Sequence, residues 1–138
     1  MRVLGIDYGD KRIGFAISDQ FRIIASPLEV YSRKTLKQDL EYIKKIIDAH
    51  QVDTVVIGLP INMDGTLGDR AIKTQEFGEQ LKQIINLPIV YIDERWTSKE
   101  SERVLIQSNV RREKRKSLMD KIAAQNILQR YLDMPKSK

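Results

Sequence analysis

Residues Arg2 to Asp19 read R-V-L-G-I-D-Y-G-D-K-R-I-G-F-A-I-S-D, and this stretch decides the fold. It holds two apolar runs, 3–6 and 13–18, which a short polar link separates. Such a link between two strand-forming runs is typical of an antiparallel hairpin. Asp7 ends the first run between two glycines, where a carboxylate on a rigid strand can meet a ligand that approaches the backbone closely. The alternative is that Asp7 only shapes the turn, since aspartate is common in turns.

Composition limits the protein class. The 138 residues suit one domain, expected over 1–138. The chain has no cysteine, which excludes disulfides and thiolate metal sites and fits a reducing compartment. No apolar run approaches roughly 18 residues and no charged leader precedes one, so neither secretion nor membrane spanning is expected. The net charge of +5 points to a polyanionic partner only where the charges cluster.

The sequence predicts three strands with short links, followed by strands that alternate with helices. The third strand, 23–31, contains Pro27, which indicates an edge position or a bulge. The later elements are predicted as helix 35–50, strand 53–59, loop 60–68, helix 69–86, strand 88–92, a helix from 97 or 98 to about 108, and helix 118–132. Short links give antiparallel pairs and helical crossovers give parallel ones. We therefore expect an α/β fold: one mixed five-stranded sheet in the order β-β-β-α-β-α-β-α, with helices on both faces.

Local signals place the helix ends and charged faces. Thr35 is predicted to cap the helix 35–50, whose apolar stripe leaves its charged residues, Asp39 among them, on a solvated face. Ser117 is predicted to cap the last helix. The only histidine, His50, ends a helix as a C-terminal cation or an exposed side chain. No Ser-His-Asp arrangement is expected around it.

Three acidic positions could carry chemistry: Asp7 ends the first strand, Asp93 or Glu94 ends the fifth, and Asp120 lies in the last helix. Asp120 shares the apolar stripe of that helix, because apolar residues follow it at +4, +7, +8 and +11. A buried carboxylate is costly unless it is paired, protonated or bound to metal. Three together would favour a divalent cation, and oxygen ligands suit Mg²⁺ or Mn²⁺. The alternative for Asp120 is an ion pair with a cation at the same end of the sheet: Arg12, Arg95 or Lys121.

Four segments in this order resemble the YqgF family of RNase H-like nucleases. They are G-I-D-Y-G-D-K-R-I-G at 5–14, G-L-P-I-N-M-D-G at 58–65, D-E-R at 93–95, and D-K-I-A-A-Q-N-I-L-Q-R-Y-L at 120–132. The family includes proteins described as pre-16S rRNA nucleases and as RuvX-type Holliday junction resolvases. The resemblance covers nearly the whole chain and implies a cytoplasmic bacterial hydrolase that cleaves phosphodiesters. The first candidate function that the resemblance implies is processing of the 5′ end of pre-16S rRNA, and the alternative is Holliday junction resolution.

The resemblance also implies the site. Asp7 matches the first-strand acid and Asp120 the helix acid, and Glu94 is chosen over Asp93 as the second acid by family analogy. Strand alternation says that Asp93 and Glu94 face opposite sides, but not which of them faces the site. In resolvases similar to RuvC the second acid ends the fourth strand, where this chain has Gly58-Leu59-Pro60. Mg²⁺ or Mn²⁺ is the implied cofactor, and no small organic cofactor is expected.

The same hypothesis assigns the basic residues to nucleic-acid binding. Lys11, Arg12 and Arg95 would contact backbone phosphates at the end of the sheet that carries the acids. A basic run would track the nucleic acid further out with little regard to sequence. The residues of that run are Arg111, Arg112, Lys114, Arg115 and Lys116. Its alternative is a solvated loop. The expected partner is structured RNA or branched DNA, and the sequence leaves a homodimer open.

Two other protein classes remain open. The hairpin Asp-x-Gly followed by a basic turn also resembles the phosphate-binding hairpin of sugar kinases and actin-like ATPases. Those proteins need a second similar domain to close over the nucleotide, and 138 residues cannot hold one. The other class is a non-catalytic nucleic-acid-binding module that keeps the fold. The presence of all three acids argues against it.

Overall fold

The computed structural model describes residues 1–94 and 112–134, with side chains up to 94 and from 122 onward. Five strands and three helices lie in these ranges. In chain order they are β1 Arg2–Tyr8, β2 Arg12–Ser18, β3 Ala25–Ser32, α1 Leu36–His50, β4 Val52–Leu59, α2 Asp69–Ile84, β5 Ile89–Asp93 and α3 Arg112–Asp133. The helix predicted to end near residue 108 lies outside the described residues. No helix in the described part of the chain is long and apolar enough to cross a bilayer.

The five strands form one mixed sheet in the order β3-β2-β1-β4-β5. The pairs β1–β2 and β2–β3 are antiparallel, whereas β1–β4 and β4–β5 are parallel. The predicted meander and crossovers are therefore confirmed. Pro27 lies on the edge strand β3, where the pairing register shifts between Phe15 and Ala16 of β2, so both expectations for this proline hold.

Side-chain alternation along the strands separates two cores. Leu4 and Ile6 of β1 pack toward α1 and α2, whereas Val3 packs toward α3. The α1/α2 core is the larger and includes Phe15, Ile57 and several isoleucines of α1. The α3 core is built mainly of smaller side chains, with Ile127 and Leu128 supplied by the helix. Helices thus cover both faces of the sheet, as predicted.

Helix α1 confirms its predicted cap and corrects its predicted charge face. The Thr35 side chain accepts from the Gln38 N–H, and Gln38 reaches back to the Thr35 N–H, which completes a capping box. Asp39 is not solvated: it is 0% exposed. Its carboxylate accepts from Arg33 Nε at 3.1 Å and from the Lys34 N–H at 2.8 Å. A first-turn acid can fold back onto the entering chain in this way, which compensates its burial.

Helix α3 begins at Arg112, five residues before the predicted cap Ser117. That boundary prediction was wrong, and the loop alternative for the basic run is wrong from Arg112 onward. The physical reason is propensity, because Arg, Lys and Glu are strong helix formers and extend the helix through Ser117. Helix α2 ends at Ile84, two residues before the predicted end at 86. Ile84 is exposed, whereas Ile85 beyond the helix is buried.

Candidate active site

The parallel strands β1, β4 and β5 deliver their carboxyl ends to one edge of the sheet. Asp7 lies near the end of β1, Leu59 ends β4, and Glu94 follows the last residue of β5. The Glu94 N–H donates to the Leu59 carbonyl at 3.3 Å, so the chain beyond β5 stays beside β4. Ligands of open α/β sheets bind at this kind of edge. The sequence-predicted acids Asp7 and Glu94 are therefore brought to the same end of the fold.

Glu94 and Asp7 also share a face of the sheet. Asp7 follows Ile6, which packs on the α1/α2 side, so the Asp7 side chain points to the α3 side. The Glu94 carboxylate oxygen Oε2 and the Ile127 side chain occupy the space that a Cβ at Gly58 would need. Because Ile127 belongs to α3, the Glu94 carboxyl lies on the α3 side as well. Geometry thus separates Glu94 from Asp93, which alternation alone could not do.

Gly58 explains why β4 carries no acid. A side chain at this position would overlap both Glu94 Oε2 and Ile127. The absence of a side chain leaves room for a carboxylate that reaches across from the neighbouring strand β5.

The Glu94 carboxyl is held in an environment that disfavours its charge. Burial raises the pKa of Glu94 to about 8, and the Asp7 carboxylate is the next largest cause of the rise. Asp93 adds to it, whereas the Arg70 guanidinium opposes it. Two carboxyls so close together are stabilised as anions by a cation between them. Oxygen donors without histidine or cysteine fit a hard divalent cation such as Mg²⁺ or Mn²⁺.

Close packing of α3 on β1 brings the third acid toward this edge. A Cβ at Gly5 would lie 2.7 Å from the Leu128 Cβ and 3.1 Å from the Ala124 carbonyl oxygen, so only glycine permits this approach. Asp120 precedes Ala124 by one helical turn on α3, and its side chain is not among those described. Among the described side chains no group of three potential metal ligands forms, so the three-acid cluster stays a prediction.

The predicted phosphate-binding cations fall in three places. Lys11 is exposed in the β1–β2 turn, and Arg12 begins β2 and is half-buried. The turn itself is held by a Gly9 N–H bond to the Arg12 carbonyl at 3.0 Å. Four of the predicted phosphate-binding cations lie on α3, namely Arg112, Lys114, Arg115 and Lys116. Arg95 and Arg111 lie outside the described residues.

Sequence reasoning missed the other wall of this site. A cleft of about 370 Å³ opens beside Glu94, between the loop after β4 and the start of α2. Its lining residues are Pro60, Ile61, Asn62, Gly68, Asp69, Arg70 and Glu94. The segment 58–65 was already one of the family-like motifs, but nothing in its spacing indicated that the chain beyond β5 would face it.

Comparisons with known proteins agree with this geometry. A family model described as "RuvX: Holliday junction resolvase" matches residues 1–134. A Halothermothrix orenii protein named "Putative pre-16S rRNA nuclease" is 50% identical over 133 residues, covering 96% of this chain and 95% of that protein. A protein of the same name from Thermoanaerobacter pseudethanolicus is 48% identical over 139 residues and covers all of both chains.

Two solved structures share the fold at low identity. Fowlpox virus resolvase in complex with Holliday junction DNA matches with a TM-score of 0.61 and 16% identity, over 96% of this chain and 97% of that one. RuvC of T. thermophilus with its junction substrate matches with a TM-score of 0.58 and 12% identity, over 96% and 94%. These likenesses confirm the α/β sheet architecture of the RNase H-like resolvases. With a family match over nearly its whole length and close relatives of equal length, this chain belongs to the RuvX family.

Proposed function

We propose that this protein is a nuclease that hydrolyses nucleic-acid phosphodiesters with a divalent metal held by Asp7, Glu94 and Asp120. The observation that carries the proposal is the pair of carboxyls at the sheet edge. Glu94 is half-buried near Asp7, and desolvation and the Asp7 charge raise its pKa to about 8. Such an arrangement weakens the metal-free fold, and strongly perturbed groups in a cleft are typical of functional sites.

The proposed roles follow from where each group lies. Asp7, near the end of the central strand β1, and Glu94, just after β5, would hold the cation across the end of β4, which lies between these two strands. When bound at these carboxylates, Mg²⁺ or Mn²⁺ would supply an activated water and would neutralise charge on the phosphate. Lys11 and Arg12, at the turn after β1, contact neighbouring phosphates of the same strand. Binding by such contacts is dependent on salt and largely independent of sequence.

The proposed substrate is the 5′ end of pre-16S rRNA in the cytoplasm. The support is the name shared by relatives that are 48–50% identical over nearly their full length. A four-way DNA junction is the second candidate, because the family model carries the resolvase description and the fold matches two junction-bound resolvases. Cutting a junction symmetrically needs two active sites, so the junction candidate also requires a homodimer.

Cleavage assays on matched substrates test the proposal. Purified protein is incubated with a pre-16S rRNA 5′ leader and with a four-way DNA junction, in Mg²⁺, in Mn²⁺ and in EDTA. We expect cleavage only with metal, and we expect Asp7→Asn to lower its rate by about 10³-fold or more, since the variant keeps side-chain size and deletes a ligand charge.

Asp10→Asn is the matched control, because Asp10 is an exposed acid three residues further along the same hairpin. It should cleave at the wild-type rate. Near wild-type cleavage by Asp7→Asn would show that Asp7 is not a metal ligand. Cleavage in EDTA would show that the reaction does not need the metal.

A further inference from the structure

The cleft beside Glu94 contains a cation, Arg70, that is not among the proposed metal-binding or phosphate-binding residues. Among the described residues that line this cleft, Arg70 is the only positively charged one. Its side chain is exposed, so the guanidinium is available to a ligand. Glu94 lies on the wall facing it. An anion that reaches the Glu94 carboxyl from solvent can therefore be contacted by Arg70 from the same cleft.

Local stability does not account for an arginine at this position. Arg70 is the second residue of α2, and the N-cap residue Gly68 provides no side-chain cap. The amino end of a helix carries a partial positive charge, so a cation in the first turn is disfavoured there. Because Arg70 is also exposed, burial of its aliphatic part gives little in return. The guanidinium is thus better explained by what enters the cleft than by the helix that carries it.

The wall that carries Arg70 is fixed in place. The loop before α2 closes on itself, with the Asn62 N–H bonded to the Thr66 carbonyl at 3.0 Å and the Gly65 N–H bonded to the Asn62 carbonyl at 2.8 Å. The loop also packs against the start of α2, since a Cβ at Gly68 would lie 3.0 Å from Asn62 Nδ2. A side chain on such a rigid support can hold a ligand in one geometry.

The Arg70 guanidinium is near enough to act on the carboxyl site. Arg70 and Glu94 line the same cleft, whose volume is about 370 Å³. One phosphate bound at this edge can thus be reached from both walls of the cleft. Arginine suits this task because its planar fork matches two phosphate oxygens and it stays charged over the whole working pH range.

We propose that Arg70 is a further catalytic residue, whose guanidinium donates hydrogen bonds to the non-bridging oxygens of the phosphate under attack. This inference rests on the proposed nuclease function. In the reaction a water oxygen bonds to phosphorus, the bond from phosphorus to a sugar oxygen breaks, the water releases a proton, and the leaving oxygen takes one up. Arg70 stabilises the negative charge that the non-bridging oxygens carry during this exchange.

The test compares Arg70→Gln with Lys73→Gln. Lys73 is an exposed cation one helical turn further along α2, so its variant removes the same charge from the same helix. Three quantities are measured for each protein: kcat, KM, and the rise in Tm on adding Mn²⁺. We expect Arg70→Gln to lower kcat by about 100-fold, with KM changed only a few-fold and the Mn²⁺ response kept. Lys73→Gln should match wild type in all three quantities. Arg70→Lys should keep part of kcat, because it retains the positive charge but lacks the planar guanidinium group that can bond two oxygens at once.

The outcomes separate this inference from the function on which it rests. If wild type cleaves and Asp7→Asn does not, but Arg70→Gln keeps the kcat of Lys73→Gln, the catalytic role of Arg70 is refuted and the nuclease stands. If Arg70→Gln loses its Mn²⁺ response together with kcat, Arg70 supports the metal site instead and the proposed contact is wrong. If wild type does not cleave in any metal, the proposed function and this inference both fail.

Discussion

Two carboxyls on opposite faces of the same sheet, Asp39 and Glu94, lie in opposite electrostatic environments. Asp39, on the α1 side, is fully buried, and its oxygens accept from the Arg33 guanidinium and the Lys34 N–H. Glu94, on the α3 side, is half-buried near the Asp7 carboxylate, and its pKa is raised to about 8. The first carboxyl accepts from a guanidinium and a backbone N–H, whereas the charge of the second is disfavoured by burial, Asp7 and Asp93 more strongly than the Arg70 guanidinium favours it.

The difference shows how to tell a structural acid from a functional one. Arg33 also donates to the Gly9 carbonyl at 3.2 Å and lies 4.6 Å from the Tyr8 ring centroid, so the Asp39 pair fastens the β1–β2 turn to the start of α1. The Asp7 and Glu94 carboxylates, by contrast, repel each other when both are charged. A buried acid whose charge is compensated serves the fold, and one whose neighbour repels it is suited to a ligand.

The largest stability effect is expected at the structural acid. Asp39→Asn keeps the side-chain size but leaves the partly buried Arg33 guanidinium without its counter-charge. We expect a loss of about 3 kcal/mol in the free energy of unfolding. Urea unfolding in EDTA measures it, and Asp48→Asn, an exposed acid on the same helix, should stay within about 0.5 kcal/mol of wild type. An equal effect of the two variants would mean that the Arg33 pair does not stabilise the fold.

At Glu94 we expect a smaller change in the free energy of unfolding, and we expect the substitution to raise it rather than lower it. The pKa of this carboxyl rises from 4.5 to about 8 on folding, so the folded protein keeps a proton that the unfolded chain loses. Metal-free wild type should therefore lose stability as pH rises through this window. Glu94→Gln cannot ionise, and at about pH 9 we expect it to be more stable than wild type by about 2 kcal/mol, less than the full pKa shift would give because solvent screens the half-buried carboxyl, with the difference vanishing near pH 4.

Urea unfolding in EDTA at several pH values checks this second prediction. Glu76→Gln, an exposed glutamate on α2, is the control and should follow wild type across the range. A Glu94→Gln variant that is less stable than wild type at high pH would show that Glu94 is ion-paired in the fold, as Asp39 is.

The weakest effect concerns surface cations on the two sides of the sheet. Neutralising four cations of the basic run should flatten the dependence of nucleic-acid affinity on salt, by about 0.7–0.9 in log–log slope for each phosphate that the protein no longer neutralises. The residues are Arg111, Arg112, Arg115 and Lys116. The matched control neutralises four exposed lysines at and before α1, on the other side of the sheet: Lys34, Lys37, Lys44 and Lys45. Equal slopes of affinity against salt in the two variants would show that the basic run is an ordinary solvated surface that does not bind nucleic acid.

The sequence was sufficient wherever a local pattern determined the structure. The hairpin, the edge position of Pro27 and the Thr35 cap follow from alternation, turn residues and capping chemistry, and all are present. The start of α3 was missed because helix-forming Arg, Lys and Glu outweighed a single capping serine. The helix propensities of residues 112–116 taken together predict the longer helix, whereas Ser117 taken alone predicts a later start.

The candidate site was less accessible to sequence reasoning because it depends on contacts between distant segments. Alternation could not say which of Asp93 and Glu94 faces the site, and the answer came from the space left at Gly58 on another strand. Burial of Asp39 depended on Arg33, which lies before the helix. A role for Arg70 could not be predicted for the same reason, because the cleft that it lines is also lined by Glu94, the residue after β5.

The central claim is that Asp7, Glu94 and Asp120 together hold one divalent cation site, and thermal unfolding against Mn²⁺ concentration tests it most directly. Wild-type Tm should rise with Mn²⁺, corresponding to about 2.7 kcal/mol at roughly 100 times the dissociation constant. Asp120→Asn should be at least as stable as wild type in EDTA, because it removes a repelling charge, and should respond little to Mn²⁺. An Asp120→Asn protein that is destabilised in EDTA and still gains the full wild-type rise with Mn²⁺ would contradict the claim, because Asp120 would then be the partner of a cation in the fold.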